Sequence, residues 1–371
     1  MKRASPLLLI MAGCDPGCTA DDVEHFEWAG ENVTVVGHGY SEADACAESL
    51  TALDERIAMV MDFLGIDSAP RFEFWWASED AWEQRPLCEA PAYACARGHH
   101  AYSRRLPDMH EATHLVTYAR IEDDECPPIL TEGLAEYLED PRFLRLMPSA
   151  EYGVVDLIED RHLPKKQGVY TRAMHFVSYL METYGPEKVI ALCSALPRDD
   201  SLSDWEATVP DVLDTSFSAL LDDYEILYPL CTSDQLRARL WGCAGAPNLV
   251  LVGEDSRRRK YVLEAGCEGS RTTNAASADE GGAATTHLVH VPQDAWLTLS
   301  ARATGSSGTP ARFTVQQCAS CYDDPITIHS GDSGWHNSEN TYRVDAGTYE
   351  VTLFFNPSDR AELEIIVESP F

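Results

Sequence analysis

The sequence predicts an α+β chain in two parts, a small mixed sheet with a mainly helical portion followed by an all-β sandwich. Three observations carry this. Between about residues 41 and 230 apolar residues recur at helical spacing in several stretches, interrupted by short strand-like runs. Beyond about residue 240 the texture changes to short alternating runs separated by Gly, Ser, Asn and Asp clusters. And 371 residues exceed one ordinary core, at ~100–200 residues per domain. The parts are read as a signal and linker over 1–20, a mixed and helical domain over 21–235 and a β-sandwich over 240–371. Hydrophobic content of 44% and aromatic content of 9% suit a chain that buries proper cores.

The first residues place Lys2 and Arg3 before an apolar run from Pro6 to Met11, then small residues ending at Cys14. That is the pattern of an export signal. Met11-Ala12-Gly13-Cys14 resembles a bacterial lipobox, which implies cleavage before Cys14 and a lipid on its thiol, hence a membrane-anchored exported protein. Soluble secretion is the other reading. The run is too short to span a bilayer, which takes ~20 apolar residues.

Residues 23–37 alternate apolar and polar around Phe26, Trp28, Val33 and Val35, as strands do. Ser41 then opens a helix with Asp44 three residues on, and Ala45, Leu50, Leu53, Ile57, Val60 and Leu64 continue it to Gly65. Residues 71–76 read as the next strand and Gly98 to Ser103 as a short edge strand. Pro107 and Asp108 start a helix to about Ala119, a second begins near Pro128 and runs to about Leu138, and a third covers 170–185, where Gly185-Pro186 stops it. Residues 186–230 look helical in pieces. In the last third the strand-like runs include RKYVLEA, AWLTLSA, TYEVTLFF and ELEIIVE, while 268–286 reads as a loop within the sandwich.

Net charge of -33, from 61 acidic against 28 basic side chains, repels a phosphate backbone and excludes nucleic acid as a partner. The same acidity keeps an exported protein soluble and says little about substrate. Twelve cysteines agree with an oxidising compartment. With Cys14 lipidated eleven remain, and Cys18 beside the anchor is the expected orphan. Short-range candidates for bridges are Cys88 with Cys95 and Cys243 with Cys267, although sequence does not decide connectivity. Cys318 and Cys321 lack the second close pair that a zinc ribbon needs and are read as structural.

His110-Glu111-Ala112-Thr113-His114 sets two imidazoles four residues apart, one turn apart on one helix face, where they can share one ion. Glu111 faces the next sector, where its carboxylate reaches a metal-bound water without being a ligand. Glu132, with seventeen residues between it and His114, lies within Leu130-Thr131-Glu132-Gly133-Leu134-Ala135-Glu136-Tyr137. At His110, Glu111, His114, Glu132 and Gly133 the chain resembles the gluzincins, the thermolysin-like and aminopeptidase-like zinc peptidases, whose second helix supplies a glutamate as third ligand.

The resemblance implies a gluzincin-type domain with zinc on His110, His114 and Glu132. It implies Glu111 as general acid–base in the hydrolysis of a peptide or protein substrate, and Glu136 holding the first ligand histidine from one turn beyond Glu132. Tyr170, ahead of the third helix, matches a tyrosine that stabilises the oxyanion, although the Lys-Gly that follows it in the family is Arg172-Ala173 here. A packing tyrosine is the alternative, and His175 is a second candidate for the same task. His99 and His100 are read as strand or subsite residues, because three protein ligands and a water complete a catalytic zinc site. The exopeptidase motif Gly-x-Met-Glu-Asn is absent. The rival reading is a surface lipoprotein that keeps such a fold for binding or structure and does not cleave. Oligomeric state is left open.

Overall fold

The computed structural model describes residues 25–46, 48–84, 88, 92–121, 126–139, 152–159, 169–226, 248–254, 257–268, 272–274, 282–305, 311–317, 327–329 and 339–369. The signal segment with Cys14 and Cys18 lies outside them, as do Cys243, Cys318 and Cys321.

The alternation at 23–37 forms a hairpin, β1 (His25–Ala29) and β2 (Val33–His38), in antiparallel register. Asp54 fixes its turn, its carboxylate accepting from the backbone N–H of Glu31, Asn32 and Val33. Ser41 caps only a 3-10 turn, Glu42–Asp44, and the helix proper, α1 (Ser49–Phe63), begins later. Leu50, Leu53, Ile57, Val60 and Leu64 are buried with Val33, Val35, Phe72 and Phe74 in one core. Next come β3 (Phe72–Ala77), α2 (Glu79–Gln84), β4 (Ala94–Arg97) and β5 (His100–Ser103). The sheet order is β1-β2-β3-β5-β4, with β2, β3 and β5 parallel. The run expected at the edge therefore lies inside the sheet, because β4 turns back through Gly98 at φ +55° and pairs along its outer side.

The helical portion follows as α3 (Met109–Arg120), α4 (Pro128–Glu139), α5 (Val154–Glu159), α6 (Val169–Tyr184), α7 (Pro186–Ala195), α8 (Leu202–Leu213) and α9 (Phe217–Ile226). Asp108 caps α3, accepting from Glu111 N at 3.2 Å, which satisfies one of the N–H groups that a helix start leaves free. Gly133 lets α4 lie against α6. A Cβ there would come within 2.5 Å of the Ala173 carbonyl oxygen.

The last third holds β6 (Leu251–Glu254), β7 (Arg258–Ala265), β8 (Thr272–Asn274), β9 (Ala283–Val291), β10 (Ala295–Thr304), β11 (Arg312–Gln317), β12 (Thr327–His329), β13 (Glu339–Val344), β14 (Gly347–Phe355) and β15 (Arg360–Glu368). They form two five-stranded sheets, β13-β10-β15-β7-β6 and β12-β11-β14-β9-β8. Leu297, Leu299, Leu363 and Ile365 of one sheet meet Val289, Phe313, Val351 and Leu353 of the other in a shared core. The chain is thus α+β with several sheets. The run 268–286, expected as a loop, carries β8 and the start of β9.

Three disulfides join described residues. Cys88–Cys95 is as expected, Cys126–Cys193 ties the approach to α4 to α7, and Cys46–Cys267 links the segment before α1 to the second core. The expected Cys243–Cys267 pair is corrected, because Cys267 is already bonded to Cys46. No described helix is long and apolar enough to cross a membrane.

Candidate metal centre

α3 and α4 pack together, and the spacing within each helix decides what meets between them. His110 and His114, one turn apart on α3, face Glu132 on α4. His110 Nε2 lies 3.1 Å from His114 Nε2 and 3.1 Å from Glu132 Oε2, and His114 Nε2 lies 3.5 Å from that same oxygen. A tetrahedral shell with zinc bonds of ~2.0–2.1 Å has edges of about 3.3–3.4 Å, so these three atoms stand at the mutual distances that one such ion requires. Two imidazoles and one carboxylate also form a donor set suited to zinc. The residues therefore fit the metal on both distance and chemistry.

Electrostatics follow from packing positive and negative groups away from water. Burial works against a charged His110, yet the neighbouring carboxylates of Glu132, Glu136 and Glu139 outweigh this and hold it well above the usual imidazole range. Burial would raise Glu132, but the charge of His114 and the bonds from both histidines hold its carboxyl far below the usual carboxylate range. Glu111 is 7% exposed, and burial pushes it up to about 7, with His114 and His110 pulling against that and Asp108 and Glu132 adding to it. Asp108, which accepts from Ser103 Oγ at 2.6 Å, is also raised by burial.

The other expected residues divide. Glu136 is brought beside the first histidine, its Oε1 3.4 Å from His110 Nδ1. Tyr170 lies within the first turn of α6, its ring centroid 6.3 Å from that of His110. Burial and the charges of nearby site carboxylates push its phenol up to about 12. His175 is not brought to the site. Its Nδ1 is 3.0 Å from the Tyr224 hydroxyl of α9 and it is buried on that side of α6, so the oxyanion role weighed for it is corrected. His100 sits exposed on β5, 3.2 Å from Glu73 Oε1, and His99 stands near Phe72, its ring centroid 6.0 Å away. Glu139 escaped sequence reasoning, and its Oε2 lies 3.7 Å from His110 Nδ1. Its spacing of seven from Glu132 and three from Glu136 was the available signal, since those steps return to one helix face.

No family model matches the chain, and no curated protein matches it. Among solved structures it is similar to the module TmCBM61 in complex with β-1,4-galactotriose, at 10% identity and a TM-score of 0.18, over 31% of this chain and 73% of that one. It is also similar to the C-terminal CBM6 of LamC, a marine laminarinase from Zobellia galactanivorans, at 16% identity and a TM-score of 0.19, over 33% of this chain and 100% of that one. A third is the carbohydrate-binding module CBM36 in complex with calcium and xylotriose, at 13% identity and a TM-score of 0.16, over 29% of this chain and 98% of that one. Ligands are named for two of these structures, β-1,4-galactotriose for the first and calcium with xylotriose for the third.

These findings overturn the expectation of a gluzincin. The structures described above are carbohydrate-binding modules, not metallopeptidases, and with the family go the hydrolase and metalloprotease assignments and zinc-dependent peptide hydrolysis. The motif misled for a physical reason. A pair of histidines on one helix and a glutamate on the next specify how three ligand atoms converge, which is a local property, whereas a reaction needs a substrate cleft that these positions do not encode.

Proposed function

We propose that the chain is an exported binding protein that does not cleave its partner. Its helical portion holds one zinc ion on His110, His114 and Glu132, and its two-sheet portion binds carbohydrate. The observation that carries the reading is the convergence of three ligand atoms at 3.1, 3.1 and 3.5 Å from one another. Bound there, zinc would stabilise the packing of α3 on α4, because its binding energy is available only to the folded arrangement. Glu111, next to His110 on α3, and Tyr170, whose ring centroid is 6.3 Å from that of His110, would be the groups available to bind a water held at such an ion. Export is supported by three disulfides among the described residues. Attachment through a lipid on Cys14 is part of the same proposal.

The test joins metal analysis to an activity assay. Wild type purified without chelator is expected to carry about one zinc per chain and His114→Ala none, since two remaining protein ligands rarely keep such an ion. Full zinc in the variant overturns the site. Zinc-loaded wild type is expected to leave casein and a peptide library intact, and cleavage abolished by Glu111→Gln would overturn the non-cleaving reading.

The sugar ligand is supported by a surface feature of this chain, independent of likeness to other proteins. Trp296 on β10 is 45% exposed and stands in register between Arg343 of β13 and Glu368 of β15. An indole face can stack on the C–H face of a sugar ring while flanking charged groups bond to its hydroxyls. A glycan array should show binding by wild type and loss in Trp296→Ala at an unchanged melting temperature. Equal binding by both proteins, or binding by neither, overturns it.

A further inference from the structure

We infer that Glu139 is a second positioning carboxylate for His110, sharing with Glu136 the proton on Nδ1. The inference rests on the metal-holding reading above and concerns how that site is kept in order. An imidazole bound to metal through Nε2 carries its one remaining proton on Nδ1, and an acceptor there fixes both the tautomer and the ring orientation. For His110 two carboxylates offer themselves, Glu136 Oε1 at 3.4 Å and Glu139 Oε2 at 3.7 Å. Both distances are a little beyond the usual 2.7–3.2 Å of an N–H···O bond, and both carboxylates stand on the Nδ1 side of the ring.

The helix explains the pairing. Glu132, Glu136 and Glu139 recur at steps of four and three along α4 and so share the face that meets α3. The first reaches the ligand side of His110 and the other two its far side. The side chains of Glu136 and Glu139 are 23% and 21% exposed, which leaves room for either to close on the proton when the other is removed. His114 differs. Its Nδ1 is buried with no hydrogen-bond partner among the described residues, so among them orientation of the histidine pair by carboxylates falls on His110. Redundancy is the consequence, since each glutamate backs up the other.

The experiment measures zinc affinity of the full chain by competition with a chromophoric chelator, for wild type, Glu136→Gln, Glu139→Gln and the double variant. Each single variant is expected to bind a few-fold more weakly and the double variant 10–100-fold more weakly, beyond the product of the singles. Melting of the metal-free proteins is expected to stay the same across the set, which separates positioning from a general role in packing. Should wild type bind no zinc at all, the metal reading falls and this inference falls with it, whereas zinc bound equally well by the double variant and by Glu136→Gln overturns the inference alone.

Discussion

The helical portion and the two-sheet portion bury polar groups in opposite manners. Around α3 and α4 the ionisable side chains of Asp108, Glu111 and His114 are buried close together, at 5%, 7% and 4% exposure. In the two-sheet portion the buried carboxylates Glu350 and Asp359 lie apart, one on β14 and one in the turn before β15. Its strands otherwise alternate, as β15 does with Ala361, Leu363 and Ile365 inside and Glu362 and Glu364 outside. Converging buried charges cost folding energy unless they are paired or hold a metal, and proteins tolerate such departures from the simple pattern mainly at working sites. The helical portion thus gathers buried charge at the expense of stability, while the sheets enclose an alternating apolar core.

The largest expected effect comes from separating the two regions. Cys46 and Cys267 are 221 positions apart in sequence, and a bridge closing a loop that long contributes about 5 kcal/mol at most by the chain-entropy estimate. The Cys46→Ala, Cys267→Ala double variant should lose several kcal/mol and split one calorimetric transition into two, the helical portion melting first. A single transition at the wild-type temperature would show that the regions are held together without the bridge.

A smaller effect isolates a buried histidine of the helical portion. Burial, with the charge of Arg172 added, lowers His175 from 6.5 to about 4. The unfolded chain takes up this proton near 6.5 and the folded chain only near 4, so the stability present above pH 6.5 is lost as pH falls towards 4. The loss is roughly 3 kcal/mol at most. Urea unfolding at pH 7 and pH 4.5 should show a smaller drop in His175→Gln than in wild type. Equal drops would place the acid sensitivity elsewhere.

Much of this contrast was legible in the sequence, for local reasons. The cap at Asp108, the repeat of His110 and His114, and the alternation in β14 and β15 each depend on residues a few positions apart. What escaped depends on distant partners. The placement of β5 inside the sheet needs the return of β4, the Cys46–Cys267 bridge crosses most of the chain, and the place of Glu139 beside His110 depends on how α4 packs on α3. His175 shows the same limit, because helical periodicity could not say that its side of α6 meets Tyr224.

Glycine substitutions sharpen the comparison at the level of backbone approach. An alanine Cβ at position 133 would meet Ala173 O at 2.5 Å and Val177 Cγ2 at 2.6 Å, whereas one at position 253, on edge strand β6, would meet nothing closer than Lys260 Cβ at 3.6 Å. Gly133→Ala should cost about 1–3 kcal/mol as α4 is pushed from α6, and should weaken zinc binding because Glu132 moves with it. Gly253→Ala should stay within about 0.5 kcal/mol. Melting curves with and without zinc check both, and a silent Gly133→Ala would mean that the helices are free to slide.

The smallest effect belongs to the outer face of the sheets. Arg302 on β10 pairs with Glu362, its cross-strand partner on β15, and their side chains are 60% and 27% exposed. Water screens such a pair and two long side chains must be ordered to make it, so Arg302→Ala should cost only about 0.2–1 kcal/mol. The difference should fade in 1 M salt, where the screening length shrinks to ~3 Å. His110 and Glu132 also stand in ion-pair contact, but with side chains 17% and 27% exposed, and there the loss of one partner strands the other among buried groups. Chemical denaturation of Arg302→Ala at low and high salt tests this difference. A loss above about 2 kcal/mol that persists in salt would mean that Arg302 belongs to a coupled network including Lys260 and Glu364, which also pair across the neighbouring strands, and the sheets would then share the electrostatic dependence assigned here to the helices.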